Sequence, residues 1–145
     1  MYKIITILNL LFILVISYSC TSTTNCSKDE YYSIDYFNSG GFTAIERGTS
    51  VDCSGWLKKW ERKLNSSKVI LDSIKIDKGS LTSITKAMND ESTFNYSINK
   101  TSNYTTTLIL NKKDKEHIIS YNSSEIPTDF PESIKTIISE IEKIK

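Results

Sequence analysis

The chain has a single histidine, His117, and any Ser/His/Asp or Cys/His nucleophile system would have to use it. It lies in residues 116–121, a β-branched stretch read as a strand beside the charged turn 111–115. No Gly-x-Ser-x-Gly or comparable nucleophile setting accompanies it. It reads as a partly exposed strand histidine. The carboxylates are dispersed: Asp29-Glu30, Asp72, Asp77, Asp90-Glu91, Asp129 and Glu132. No spacing among them marks an acid/base pair. Asp77 resembles a helix N-cap and Asp90-Glu91 a solvated loop. Ser39-Gly40-Gly41 lacks the helix N-terminus and the lysine that phosphate-cradling loops use, and its glycines suit the positive φ of a tight turn. No catalytic residue is assigned, and no cofactor or metal is expected. The expectation is a protein that is not an enzyme.

Binding chemistry has better candidates. Tyr31, Tyr32, Tyr36, Phe37, Phe42, Trp56 and Trp60 cluster in the first half. They either pack beneath helices or form an exposed patch of the kind used to recognise a protein or glycan. The candidate binding residues are Ser39, Gly40, Gly41, Phe42, Trp56 and Trp60.

Three cysteines carry the remaining chemistry. Lys3 precedes an apolar run of about thirteen residues, 4–16, the length of a signal h-region and too short to span a bilayer. Ser17-Tyr18-Ser19-Cys20 follows. A cysteine after a small residue in this place resembles a bacterial lipobox of the looser Bacteroidetes type, with Ser17 where the family pattern prefers Leu. The expected boundaries are a signal peptide at 1–19, lipid attachment at Cys20 with a flexible tether to residue 29, and one domain over 30–145. Lipid on Cys20 would be a diacylglycerol, with or without an N-acyl chain such as palmitate. The expected location is the bacterial cell envelope, on the outer membrane or facing the periplasm, and the alternative is ordinary secretion. Removing 1–19 takes away Lys3 alone among the charges, so 18 basic residues become 17 against 17 acidic. That balance argues against nucleic acid as a partner. The membrane is expected as a partner through the N-terminal lipid only.

Export favours pairing of the two other cysteines, Cys26 and Cys53. A two-residue turn at Ser39-Gly40 would set Ile34 against Ile45 and Phe37 against Phe42, and the same register would carry Cys26 toward Cys53. A turn at Gly40-Gly41 would shift it. Closing this loop would contribute about 3–4 kcal/mol in the chain-entropy model.

The elements that must position these residues follow from periodicity. Residues 31–37 and 42–51 read as strands. Residues 56–62 read as a strand with Trp56, Lys58, Trp60 and Arg62 on one face, or as a helix with Trp56, Trp60 and Leu64 on one face. Residues 69–76 read as a strand. Asp77 would open a helix carrying Leu81, Ile84 and Met88 and ending near Asn89. Residues 94–98 read as a short strand, 104–110 and 116–121 as a hairpin. Pro131 would begin a helix with an isoleucine stripe, Ile134, Ile137, Ile138, Ile141 and Ile144. Short turns make neighbouring strands antiparallel, and one apolar stripe per helix puts the helices on the sheet. The expected fold is α+β: an antiparallel meander sheet of about five to seven strands with two helices packed on one face.

Ile34-Asp35-Tyr36-Phe37-Asn38-Ser39-Gly40-Gly41-Phe42-Thr43 resembles the opening of emfourin-type proteins, small bacterial inhibitors of thermolysin-like metalloproteases. Ala44 stands where that pattern has Gly. Bacteroidetes-type small lipoproteins share the Gly-Gly-Phe-Thr opening, a Lys-Trp-Glu element (here Lys59-Trp60-Glu61), and a late strand, proline and helix. The resemblance covers most of the mature chain as scattered short matches. It implies an envelope lipoprotein, a macromolecule-binding module of unassigned role, with protease inhibition as the alternative. The inhibitor reading would require a rigid protruding loop around residues 39–42.

Overall fold

A computed structural model describes residues 26–27, 30–41 and 44–144. The leader, Cys20, most of the tether and Phe42 lie outside the described residues. Six strands form one antiparallel sheet: β1 (Tyr32–Gly40), β2 (Ile45–Asp52), β3 (Trp56–Lys63), β4 (Val69–Lys75), β5 (Tyr104–Lys112) and β6 (Lys115–Asn122). Their order across the sheet is β4-β3-β2-β1-β5-β6. Among the described residues three helices complete the α+β fold: α1 (Lys78–Asn89), α2 (Glu91–Asn95) and α3 (Glu132–Ile144).

The sheet is two runs of hairpins joined through β1. The first run ends at the outer strand β4. The chain then crosses through α1 and α2 and re-enters as β5 on the other side of β1, pairing Ile34 with Leu110 and Tyr36 with Leu108. The α1 and α3 stripes pack on one face. Ile84, Met88, Ile134, Ile137 and Ile141 meet Ile34, Tyr36, Leu57, Leu108, Leu110 and Ile119 there, all buried. Each such side chain contributes roughly 1.5–3 kcal/mol by leaving water.

The caps act as the sequence suggests. The Asp77 carboxylate accepts from the Gly79 and Ser80 amides at 2.9 and 3.0 Å. The Pro131 carbonyl accepts from the Lys135 amide at 3.1 Å, which sets the entry to α3. Residues 94–98, however, are not a strand. Asp90 is itself an N-cap, accepting from the Ser92 amide at 2.8 Å, and it starts α2 where a solvated loop was expected. After α2 the chain meets the sheet at one isolated parallel bridge, Asn99 to Ser120.

The first hairpin also departs from expectation. Ile34 faces Val51, not Ile45, and Phe37 faces Gly48, not Phe42. The turn is not at Ser39-Gly40, because β5 takes those two residues, pairing them with Thr105 and Tyr104. Gly40 and Gly41 have φ of 115° and 72°. Their backbone runs so close to the next segment that a Cβ on Gly40 would lie 2.0 Å from the Asn103 carbonyl oxygen. The glycines therefore serve a close strand-to-strand approach, and the loop falls beyond them.

The Cys26–Cys53 disulfide is present, with Cα atoms 5.8 Å apart. It does not arise from the expected register. Cys53 follows β2, and its amide donates to the Tyr32 carbonyl. Cys26 lies ahead of β1, where the Glu30 amide donates to the Ser27 carbonyl at 2.9 Å.

Beneath the helices lie three buried tyrosines. Tyr32 shares a 2.9 Å hydrogen bond with Thr85 on α1, and Tyr36 donates to the Glu142 carboxylate on α3 at 2.9 Å. Tyr121 lies beside Tyr36, and burial raises all three pKa values above 10.0 by disfavouring the phenolate. An acid whose pKa rises on folding stabilises the fold below its unfolded value, and that stability is lost as pH climbs past it. Urea midpoints should therefore hold up to about pH 9 and fall above about pH 10. The double variant Tyr36→Phe, Tyr121→Phe should soften the fall; an identical alkaline fall in wild type and variant would contradict this.

Candidate binding surface

The helices cover one face of the sheet. On the other, strand alternation and register line up rows of side chains. One row runs Ile70, Trp60, Gly48, Phe37, Thr107, Ser120 from β4 to β6. Gly48 carries no side chain, and Phe37 and Trp60 meet across it with ring centroids 5.5 Å apart. A Cβ on Gly48 would lie 2.4 Å from Phe37 Cβ and 2.6 Å from the Tyr36 carbonyl oxygen.

Trp60 is 1% exposed although no helix covers it. The turn between β3 and β4 supplies the cover. Lys68 places its Nζ 4.3 Å from the Trp60 ring centroid and reaches on to Asp35 of β1 at 2.6 Å. The Arg62 guanidinium sits 5.8 Å from the same ring and pairs with Glu46 on β2. These contacts are cation–π interactions, each worth about 0.5–1 kcal/mol at partly exposed sites. Ser50 also donates to Asp35, so that carboxylate holds β2 and the folded-over turn together.

Trp56 and Trp60 lie on one strand face, as the strand reading of 56–62 requires, but their fates differ. Trp60 is a structural anchor. Trp56 is 42% exposed at the start of β3, with Lys75 Nζ 5.3 Å from its ring. The aromatic cluster is thus divided three ways. Tyr32 and Tyr36 pack under the helices, Phe37 and Trp60 form a separate cluster on the open face, and Tyr31 and Trp56 face solvent. Ser39 and Gly40 belong to the β1–β5 ladder, and only Gly41 begins the loop.

The feature that residue type alone did not single out is the outer edge. Among the described residues β4 is an edge strand whose outward backbone groups have no strand partner, and Val69, Ile70 and Leu71 are exposed along it. Leu64, 71% exposed, extends the patch at the same end. Register with β3 slips between Lys59 and Trp60, leaving Leu71 as the extra, bulged residue. The other edge is treated differently: the 98–100 segment lies against β6, with the Lys100 amide donating to the Ser120 carbonyl and the Ser120 amide to the Ile98 carbonyl.

His117 turns toward the helical side, where its Nε2 is hydrogen-bonded to the Tyr96 carbonyl and its ring lies 6.0 Å from that of Phe94. It ties β6 to the segment after α2. Among the described residues no group of three His, Cys, Asp or Glu side chains is arranged to hold a metal. No protein-family model matches the chain, and no curated protein matches it.

Truncating the two tryptophans separates their roles. Trp60→Ala should cost about 3–5 kcal/mol in urea unfolding, as buried aromatic deletions do. Trp56→Ala should cost no more than about 1 kcal/mol, the scale of an exposed cation–π contact. Equal losses would contradict the division of the two residues into anchor and surface.

Proposed function

We propose that this protein is an envelope-displayed binding module, held to the membrane by lipid on Cys20, whose working surface is the outer edge of β4 with Leu64, Val69, Ile70 and Leu71. The observation that carries this reading is the combination of unpaired strand backbone with contiguous exposed apolar side chains. An edge of this kind is a template for an added strand, and natural sheets ordinarily blunt or cover it. An extended segment of a protein partner would gain main-chain hydrogen bonds from β4 and apolar contact from the side chains beside it. The bulge at Leu71 limits the length of regular pairing, which favours a short segment over open-ended sheet growth. Lys68 is engaged with Asp35 and Trp60, so it does not stand guard over the edge. The role is binding and not catalysis. The inhibitor alternative gains no specific support, since Ser39 and Gly40, half of the loop it would use, are locked in the ladder.

A photo-crosslinking residue at position 71, introduced in the cells that make the protein, should give one or a few discrete protein adducts. The same residue at the exposed Ser139 on α3 should give none of these. Absence of adducts at position 71, or the same adducts from both positions, would overturn the assignment. Leu71→Lys should change stability by no more than about 0.5 kcal/mol, as expected of a surface site, while abolishing the interaction.

A further inference from the structure

We infer that the end of the domain next to the Cys26–Cys53 bridge rests on the lipid bilayer, with Tyr31 and Trp56 seated in the headgroup interface. This rests on the anchoring reading of Cys20. Antiparallel topology collects the start of β1, the β2–β3 turn, the end of β4 and the β5–β6 turn at one end. The contacts confirm the grouping. The Lys113 amide donates to the Tyr31 carbonyl, the Ile76 amide to the Gly55 carbonyl, and Lys75 Nζ to the Ser54 carbonyl at 2.6 Å.

The disulfide decides how near this end lies to the anchor. Six residue steps from Cys20 to Cys26 span at most about 22 Å, whereas the twelve steps to Tyr32 would allow about 43 Å without the bridge. A nine-residue strand such as β1 is itself about 30 Å long, so the far end, with Leu64 and Val69, stands well away from the anchor. The bridge thus moves the attachment point to the rim of the sheet and shortens the leash to less than the length of the domain.

The chemistry of that rim fits an interface. Tyr31 is 47% exposed and Trp56 42%, and Trp and Tyr favour the boundary between headgroups and acyl chains. Charge adds little. Lys75, Lys78, Lys112, Lys113 and Lys115 are matched at this end by Glu30, Asp52, Asp77, Asp114 and Glu116. Asp52 is partly used by the Ser54 amide at 3.0 Å and Asp77 by the α1 cap. Lys75 Nζ is held by the Ser54 carbonyl and Lys112 Nζ by the Met88 carbonyl, so docking depends on the rings. It should need no anionic lipid and should survive added salt.

The test uses protein purified from its own membranes and reconstituted into phosphatidylcholine vesicles, with and without brominated acyl chains. Flotation with the vesicles reports the anchor. Quenching reports docking, because Trp56 and Trp60 are the only two tryptophans and Trp60 is buried. Wild-type emission should fall toward about half in brominated vesicles, as expected if one ring of two sits at the interface, and should stay there at high salt. Trp56→Phe should float equally and show no quenching. Flotation without quenching, or quenching that persists in Trp56→Phe, would overturn the docked orientation alone. Failure to float would overturn the anchor and the orientation with it.

Discussion

The structure depends on β1 being hydrogen-bonded on both sides. It joins the two hairpin runs, pairing with β2 through residues 33–38 and with β5 through residues 32–40. Its alternation also serves two separate clusters. Tyr32, Ile34 and Tyr36 enter the core under α1 and α3, while Asp35 and Phe37 organise the opposite face through Lys68 and Trp60. A one-residue slip of β1 would exchange these sets and place Asp35 beneath the helices, where an unpaired carboxylate is costly. That penalty fixes the register more firmly than any turn chemistry in the first hairpin.

This explains what could and could not be read from the residues. The six strands of the sheet, the Asp77 cap, the isoleucine stripe of α3 and the α+β layering were legible, because each follows from local periodicity, whereas the strand expected over 94–98 is absent. The pairing of β1 with β5 was not, since it joins residues far apart in sequence. Misplacing the hairpin turn had the same cause: Ser39-Gly40-Gly41 carries a strong turn signal, but the glycines answer to Asn103, which no local pattern reveals. The cysteine pair was correctly named through a register that does not exist. An expected oxidising compartment and an even remainder of cysteines point to this pair without any register.

The apolar run Val69-Ile70-Leu71 is the instructive case. A continuous apolar run ordinarily means a strand buried on both faces. Here it lies at the sheet edge and stays exposed, so local composition and tertiary position disagree. Such disagreements concentrate where function imposes a cost on the fold. Trp60 shows the reverse. It looked like a recognition residue and is instead covered by charged side chains drawn across the open face. The molecule is polarised: the bridge, Tyr31 and Trp56 mark one end, and the unpaired apolar edge lies toward the other.

The most direct test of the central claim, a bridged domain held by a lipidated Cys20, is the intact mass of the protein isolated from its own membranes, before and after reduction. The expected result is a chain beginning at Cys20 and heavier by a diacylglycerol, with or without an N-acyl group, that gains about 2 mass units on reduction. A chain beginning at Cys20 with no added lipid, or one whose mass does not change on reduction, would contradict it.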